Sequence, residues 1–212
     1  MKTDDLIRAM TADHSGSAAS LERRFATMIV PGWLLALALF ALTLGPRPDF
    51  ASAVGDARFV FKFVVTLLLA LCSALLVWRL ARPGARMSLQ AAALATVPAV
   101  LLLGVLMELI AVPRPLWAAR LVGQNAVVCL MSIPLFALPM LIAALLALRA
   151  GAPVMPGVTG AVAGLFAGAL GAAIYAAHCP DDSPLFIAAW YSIAIALVAA
   201  VGAAAGRWVL RW

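Results

Sequence analysis

Six stretches of almost unbroken apolar residues alternate with short polar interruptions along the chain: Thr27–Leu44, Phe59–Leu80, Leu89–Val112, Val122–Leu148, Val158–Ala177 and Leu185–Gly206. Each is near the roughly 20 residues a helix needs to cross about 30 Å of hydrocarbon. Lipid offers no partners for backbone N–H and C=O groups, so segments of this kind close their hydrogen bonds internally as helices. The pattern predicts an all-α fold: an integral membrane bundle of six transmembrane helices over residues 27–212, preceded by a polar N-terminal tail over residues 1–26.

Composition sharpens this reading. The 212 residues are 66% hydrophobic and 11% charged, with a mean hydropathy of +1.08, far from the balance of a soluble domain. Such a bundle is held by helix packing in lipid rather than by a water-excluding core. A cleaved signal peptide is the competing reading of the first stretch, with Ala51-Ser52-Ala53 as a small-residue site. The charged leader is too long for it, and the apolar run exceeds the roughly 7 to 15 residues of a signal core. No internal repeat of about 20 to 50 residues is visible. Span four contains Pro134 and Pro139, which remove helical hydrogen bonds. Span five carries Gly160, Gly164, Gly168 and Gly171, and span six carries Gly202 and Gly206, a spacing that favours close packing of the two.

Charge gives the orientation. Assigning the interruptions alternately to the two sides places ten Lys and Arg residues with the termini and five opposite them, so both termini are expected in the cytoplasm. The net charge of +6 then reports orientation and contact with anionic headgroups, not direct nucleic-acid binding.

The tail is the sole sizeable polar segment and thus the place for a soluble partner. Thr3 is a candidate helix cap ahead of Asp4 and Asp5, and Leu6, Ile7 and Met10 share one face at helical spacing before Ser15-Gly16-Ser17 breaks the pattern. So short a helix is marginal alone and suits a segment that orders in a partner's groove. A frayed terminus with chance apolar residues is the plain alternative.

Between Arg149 and Arg207 the only charged residues are Asp181 and Asp182, in the sequence His178-Cys179-Pro180-Asp181-Asp182-Ser183-Pro184. This loop is expected at the water-facing tip of the hairpin joining spans five and six. Counting about 20 residues outward from Arg149 reaches Cys129 at the same boundary. The two thiols therefore share a level, on the side that in a bacterium is oxidising. A disulfide, redox sensing or capture of a thiophilic metal is one reading of the pair, and inert packing is the other. Cys72, inside span two, reads as a buried apolar residue. No CxxC or HxxxH spacing supports a four-ligand metal site, so the metal, if any, is undetermined and no cofactor is implied. Lys62 and Glu108 lie at similar depth in spans two and three, and are expected either to pair or to reach separately to the interface. Deeper positions are mostly Ala, Leu, Val and Gly, which argues against a solute pathway. A small transporter or channel component, and a membrane thiol oxidoreductase, stay open as alternatives.

Several of these residues together resemble one family. Thr3-Asp4-Asp5-Leu6-Ile7 with Ala12-Asp13, Gly55-Asp56-Ala57-Arg58-Phe59, Cys129, and His178 through Phe186 followed by Trp190 are similar to the NrsF-type bacterial membrane anti-sigma factors. The resemblance covers essentially the whole chain. It implies a six-span inner-membrane protein, not an enzyme, that holds an extracytoplasmic-function sigma factor inactive and releases it under stress. It further implies Cys129 and Cys179 as the sensing pair, and the segment from Leu6 through Ile7 and Met10 to Asp13 as part of the sigma-binding tail. Oligomeric state is left undetermined.

Overall fold

A computed structural model describes residues 17–82, 88–151 and 153–211, together with Thr3. The tail candidates Leu6, Ile7, Met10 and Asp13 lie outside the described residues. The described part contains helices and no strands. In chain order these are α1 (Ser17–Thr43), a short turn of helix α2 (Phe50–Ala53), α3 (Ala57–Leu80), α4 (Ser88–Ala111), α5 (Trp117–Val122) after a 3-10 turn at Arg114–Leu116, α6 (Ala126–Leu148), α7 (Pro156–Ala176) and α8 (Pro184–Val209). Six of them, α1, α3, α4, α6, α7 and α8, are long and apolar enough to cross a membrane.

Local chemistry sets the helix ends. Asp56 caps α3 by accepting from the Arg58 amide at 2.8 Å, and Ser183 caps α8 by accepting from Leu185 at 3.3 Å, with Pro184 at the first helical position. At the far end of α1 the Leu44 and Gly45 amides both return to the Phe40 carbonyl, Gly45 taking a φ of +65° that its lack of a Cβ permits, and Pro46 then prevents continuation.

Two boundaries differ from the apolar pattern. α1 begins ten residues earlier than the apolar run, at Ser17 rather than Thr27, so the first span continues as helix into the tail. The fourth span begins at Ala126, because Gly123 at φ +60° separates Val122 from it; a Cβ there would lie 2.9 Å from the Asp181 carboxyl carbon. α6 remains helical through Pro134 and Pro139. In α8 the segment Ile187–Tyr191 widens to a π-turn that the apolar pattern does not announce.

α7 is the central and most buried span, packed on α8, α6 and α3. Its contact with α8 is backbone against backbone. A Cβ at Gly164 would sit 2.6 Å from the Ala199 Cα, and one at Gly206 would sit 2.6 Å from the Pro156 carbonyl oxygen. The glycine spacing in spans five and six therefore serves close approach, as the sequence predicts. α1 and α4 lie at the periphery, with most of their side chains outside the packed interior.

Candidate functional site

The polar chemistry of the bundle concentrates at one end, where the segments 44–57, 112–125 and 177–183 meet. The middle of it is the loop from α7 to α8. Three of its groups reach three different parts of the protein.

Asp182 lies between two cations. It accepts from Arg47 Nη1 at 2.8 Å and pairs with Lys62 Nζ, which also donates to the Cys179 carbonyl at 2.7 Å. Lys62 has no solvent exposure, and its ammonium also lies 4.7 Å from the centre of the Phe59 ring. One buried cation thus holds both ends of Cys179–Asp182. Arg47 in turn clasps Asp49 through two bonds of 2.6 Å, which hold the Asp49 carboxyl below and the Arg47 guanidinium above their ordinary pKa ranges.

Asp181 faces the other way. Its Oδ2 accepts from the Gln124 amide at 3.1 Å and from the Asn125 amide and side chain at 3.0 Å each, which anchors the loop to the start of α6. A third carboxylate, Glu108 of α4, is 3% exposed and accepts from Arg58 Nε and Arg120 Nη1 at 2.8 Å each and from Ser183 Oγ at 3.2 Å. His178 Nδ1 lies 2.9 Å from the Gly45 carbonyl, so this nitrogen carries the proton and donates. The Arg47 amide donates to the Ala177 carbonyl at 3.0 Å, and Trp190 Nε1 to the Leu121 carbonyl at 2.9 Å.

Cys129 and Cys179 lie beneath this cap with no solvent exposure, both part of the bundle's main apolar core together with Ile133, Tyr175, Phe186 and Tyr191. All three cysteines are free thiols. Burial is the largest influence on the Cys179 thiol and raises its pKa, outweighing the Asp181 backbone, Tyr175 and Lys62, which lower it. A thiol that keeps its proton and touches no water is a poor nucleophile until the loop opens. Among the described residues no group of three or more His, Cys, Asp or Glu side chains is arranged to hold a metal.

Two expectations need correction. Lys62 and Glu108 do not pair with each other: Lys62 is fixed to the Cys179 loop, while Glu108 takes Arg58 and Arg120. The His178–Ser183 loop is also not an open tip. Pro180 is exposed, but Cys179 and Ser183 are buried and Asp181 and Asp182 only half-exposed, because the flanking loops fold over them. Sequence reasoning missed Arg47, Arg58, Arg120, Asn125 and Ser183 as members of the site. A usable signal was charge balance at this end: Arg47, Arg58, Lys62, Arg114 and Arg120 match Asp49, Asp56, Glu108, Asp181 and Asp182 in number.

Fold and site together define a six-helix membrane-type bundle, closed at one end by a neutral ion-paired cap over two thiols. Residues 11–212 match the family model for NrsF, negative regulator of sigma F, and the chain belongs to that family. It is 37% identical over 214 aligned residues to the anti-sigma-F factor NrsF of Caulobacter vibrioides, with 100% of both chains covered. It is 33% identical to the probable anti-sigma-F factor NrsF of Azospira oryzae, again over 100% of each chain. No solved structure matches the chain.

Proposed function

We propose that the protein is an anti-sigma factor of the bacterial inner membrane: its N-terminal segment holds an extracytoplasmic-function sigma factor away from core RNA polymerase, and a change at Cys129 and Cys179 releases it. Family membership supports the anti-sigma role. The observation that carries the sensing role is the full burial of both thiols in the apolar core beneath a loop held by ion pairs. Such a site is quiet while closed and reactive once the loop lifts.

Oxidation to a disulfide would remove two electrons and release two protons, with the oxidant taking up the electrons; a thiophilic metal would instead displace the thiol protons. Either event adds bonds inside a cluster packed around free thiols, and so disfavours the closed arrangement. Release then follows only if the altered bundle binds sigma less well, since a signal shifts an equilibrium through differential affinity.

The capped end faces the periplasm in this reading, with both termini cytoplasmic. The positive-inside excess supports it, as does the structure of the cap: Arg47, Arg58, Lys62 and Arg120, four of the five cations on that side, are engaged with carboxylates.

The test is a sigma-dependent reporter in cells carrying serine variants. Cys129→Ser and Cys179→Ser are expected to show the same altered response to the thiol oxidant diamide, the double variant to add little, and Cys72→Ser to respond normally. Normal induction in the double variant, at unchanged membrane abundance, would falsify the sensing role. Replacing Leu6 and Ile7 by Asp is expected to free the sigma factor without loss of the protein from the membrane.

A further inference from the structure

We propose that α1 is a lever which carries the state of the cysteine loop to the N-terminal segment, and that Arg47 is the residue coupling the two. This rests on the function proposed above and adds the route by which the signal travels.

Three observations support it. First, the segment that follows α1, residues 44–47, is tied directly to the loop that carries Cys179. The Arg47 amide donates to Ala177, the Arg47 guanidinium to Asp182, and His178 to the Gly45 carbonyl, at 3.0, 2.8 and 2.9 Å. These bonds flank Cys179 on both sides in sequence, so the loop cannot lift without breaking them or moving the end of α1. Second, the helix that leaves this junction is unbroken from Thr43 to Ser17, 27 residues or about 40 Å, and ends at the start of the polar tail. No other span leads into that segment.

Third, α1 sits at the edge of the bundle and packs mainly on α6, with Phe25 in its tail-side half also meeting the Trp78 ring of α3 edge-on at 5.5 Å. Its buried positions among the described residues are Gly32, Ala36 and Phe40, each four residues apart, and they lie against α6. Phe40 meets the Phe136 ring edge-on at 5.8 Å. A Cβ at Gly32 would lie 3.0 Å from the Ala143 Cβ and 3.1 Å from the Pro139 carbonyl oxygen, so the two helices pack tightly there. A peripheral helix whose fully buried positions form one line can rock about the small residue in it, the Phe25–Trp78 contact in its tail-side half shifting as it does. Gly32 stands about 16 Å from the Thr43 end and about 22 Å from Ser17, so a rigid rod converts a shift of about 2 Å at the loop into about 3 Å at the tail. Pro31 adjoins the pivot, and the helix remains continuous through it.

The bonds at Arg47 are made while both cysteines are free thiols, so they belong to the resting, sigma-holding position. Cutting them is therefore equivalent to receiving the signal, downstream of the cysteines. The full-length protein is tested in its native membrane, with the sigma-dependent reporter and the amount of sigma subunit co-purifying per anti-sigma chain both read without inducer. Arg47→Ala is expected to raise the reporter at least tenfold and lower co-purified sigma at least tenfold, equally in the wild-type and in the Cys129→Ser/Cys179→Ser background. Arg47→Lys, which retains a cation for Asp182, is expected to restore most of the repression. Gly32→Leu, which wedges the pivot and leaves every loop bond in place, is expected to release sigma as well.

Sigma still held by Arg47→Ala at normal membrane abundance overturns the lever alone. So does release that occurs with free cysteines and vanishes in the serine background. If Arg47→Ala is lost from the membrane, Gly32→Leu decides: retained sigma there overturns the lever and released sigma supports it. A wild-type protein that co-purifies no sigma subunit overturns the proposed function and the lever with it.

Discussion

Replacing Lys62 by Met removes the one cation that bonds the loop at both Cys179 and Asp182 while keeping an apolar stem of similar length. Lys62 has no exposure, so water does not take its place. Asp182 keeps Arg47 at 2.8 Å and its side chain retains 15% exposure, which limits the loss on that side. The Cys179 carbonyl loses its ammonium donor. Breaking a buried pair typically costs about 3 to 5 kcal/mol, and the surviving Arg47 contact places this change at the low end, about 3 kcal/mol. If the cost falls on the closed loop, the open population rises about 100-fold, at about 1.4 kcal/mol per decade.

Labelling of Cys179 by a membrane-impermeant maleimide, in vesicles and in a Cys72→Ser/Cys129→Ser background, reads that population. The expected rate increase is about 100-fold. Glu108→Gln provides the contrast. Its partners Arg58 and Arg120 are 38% and 36% exposed and can turn to water, so about tenfold or less is expected. A Lys62→Met rate within about threefold of the parent would refute the reasoning that this cation holds the loop closed.

Three further outcomes follow from the geometry. Gly164→Ala places a Cβ 2.6 Å from the Ala199 Cα, with backbone on both sides, and is expected to cost about 1 to 3 kcal/mol, read as a lowered melting temperature in detergent; an unchanged melt would contradict the close approach of α7 and α8. Burial raises the Cys179 pKa, so the closed loop keeps the thiol proton more tightly than the open one, and closure is fully favoured below the ordinary thiol value of about 8.5 and weakens as pH rises through the higher closed-state value. Labelling corrected for intrinsic thiolate reactivity should then be flat below about 8.5 and rise above it, whereas a fall with pH would contradict the assignment. A reporter fused after Trp212 should be active in cytoplasmic form and silent in periplasmic form, the reverse overturning the orientation.

What the sequence determined by itself was set by solvent. Apolar runs of membrane length leave the backbone no alternative to helix, so six spans and the packing role of Gly160, Gly164, Gly202 and Gly206 were legible in it. What it left open was partner choice among charges. Lys62 and Glu108 share a depth, but depth is one coordinate of three, and which way each points depends on helix rotation and on loops folded back over the bundle. Tertiary structure alone decided that Lys62 bonds the Cys179 loop, that Glu108 takes Arg58 and Arg120, and that Arg47 joins the first span to the segment 177–182. Ion pairs between residues up to 135 positions apart carry no periodic trace. They exist because removing a carboxylate from water demands cations close by, and only the assembled cap brings them there.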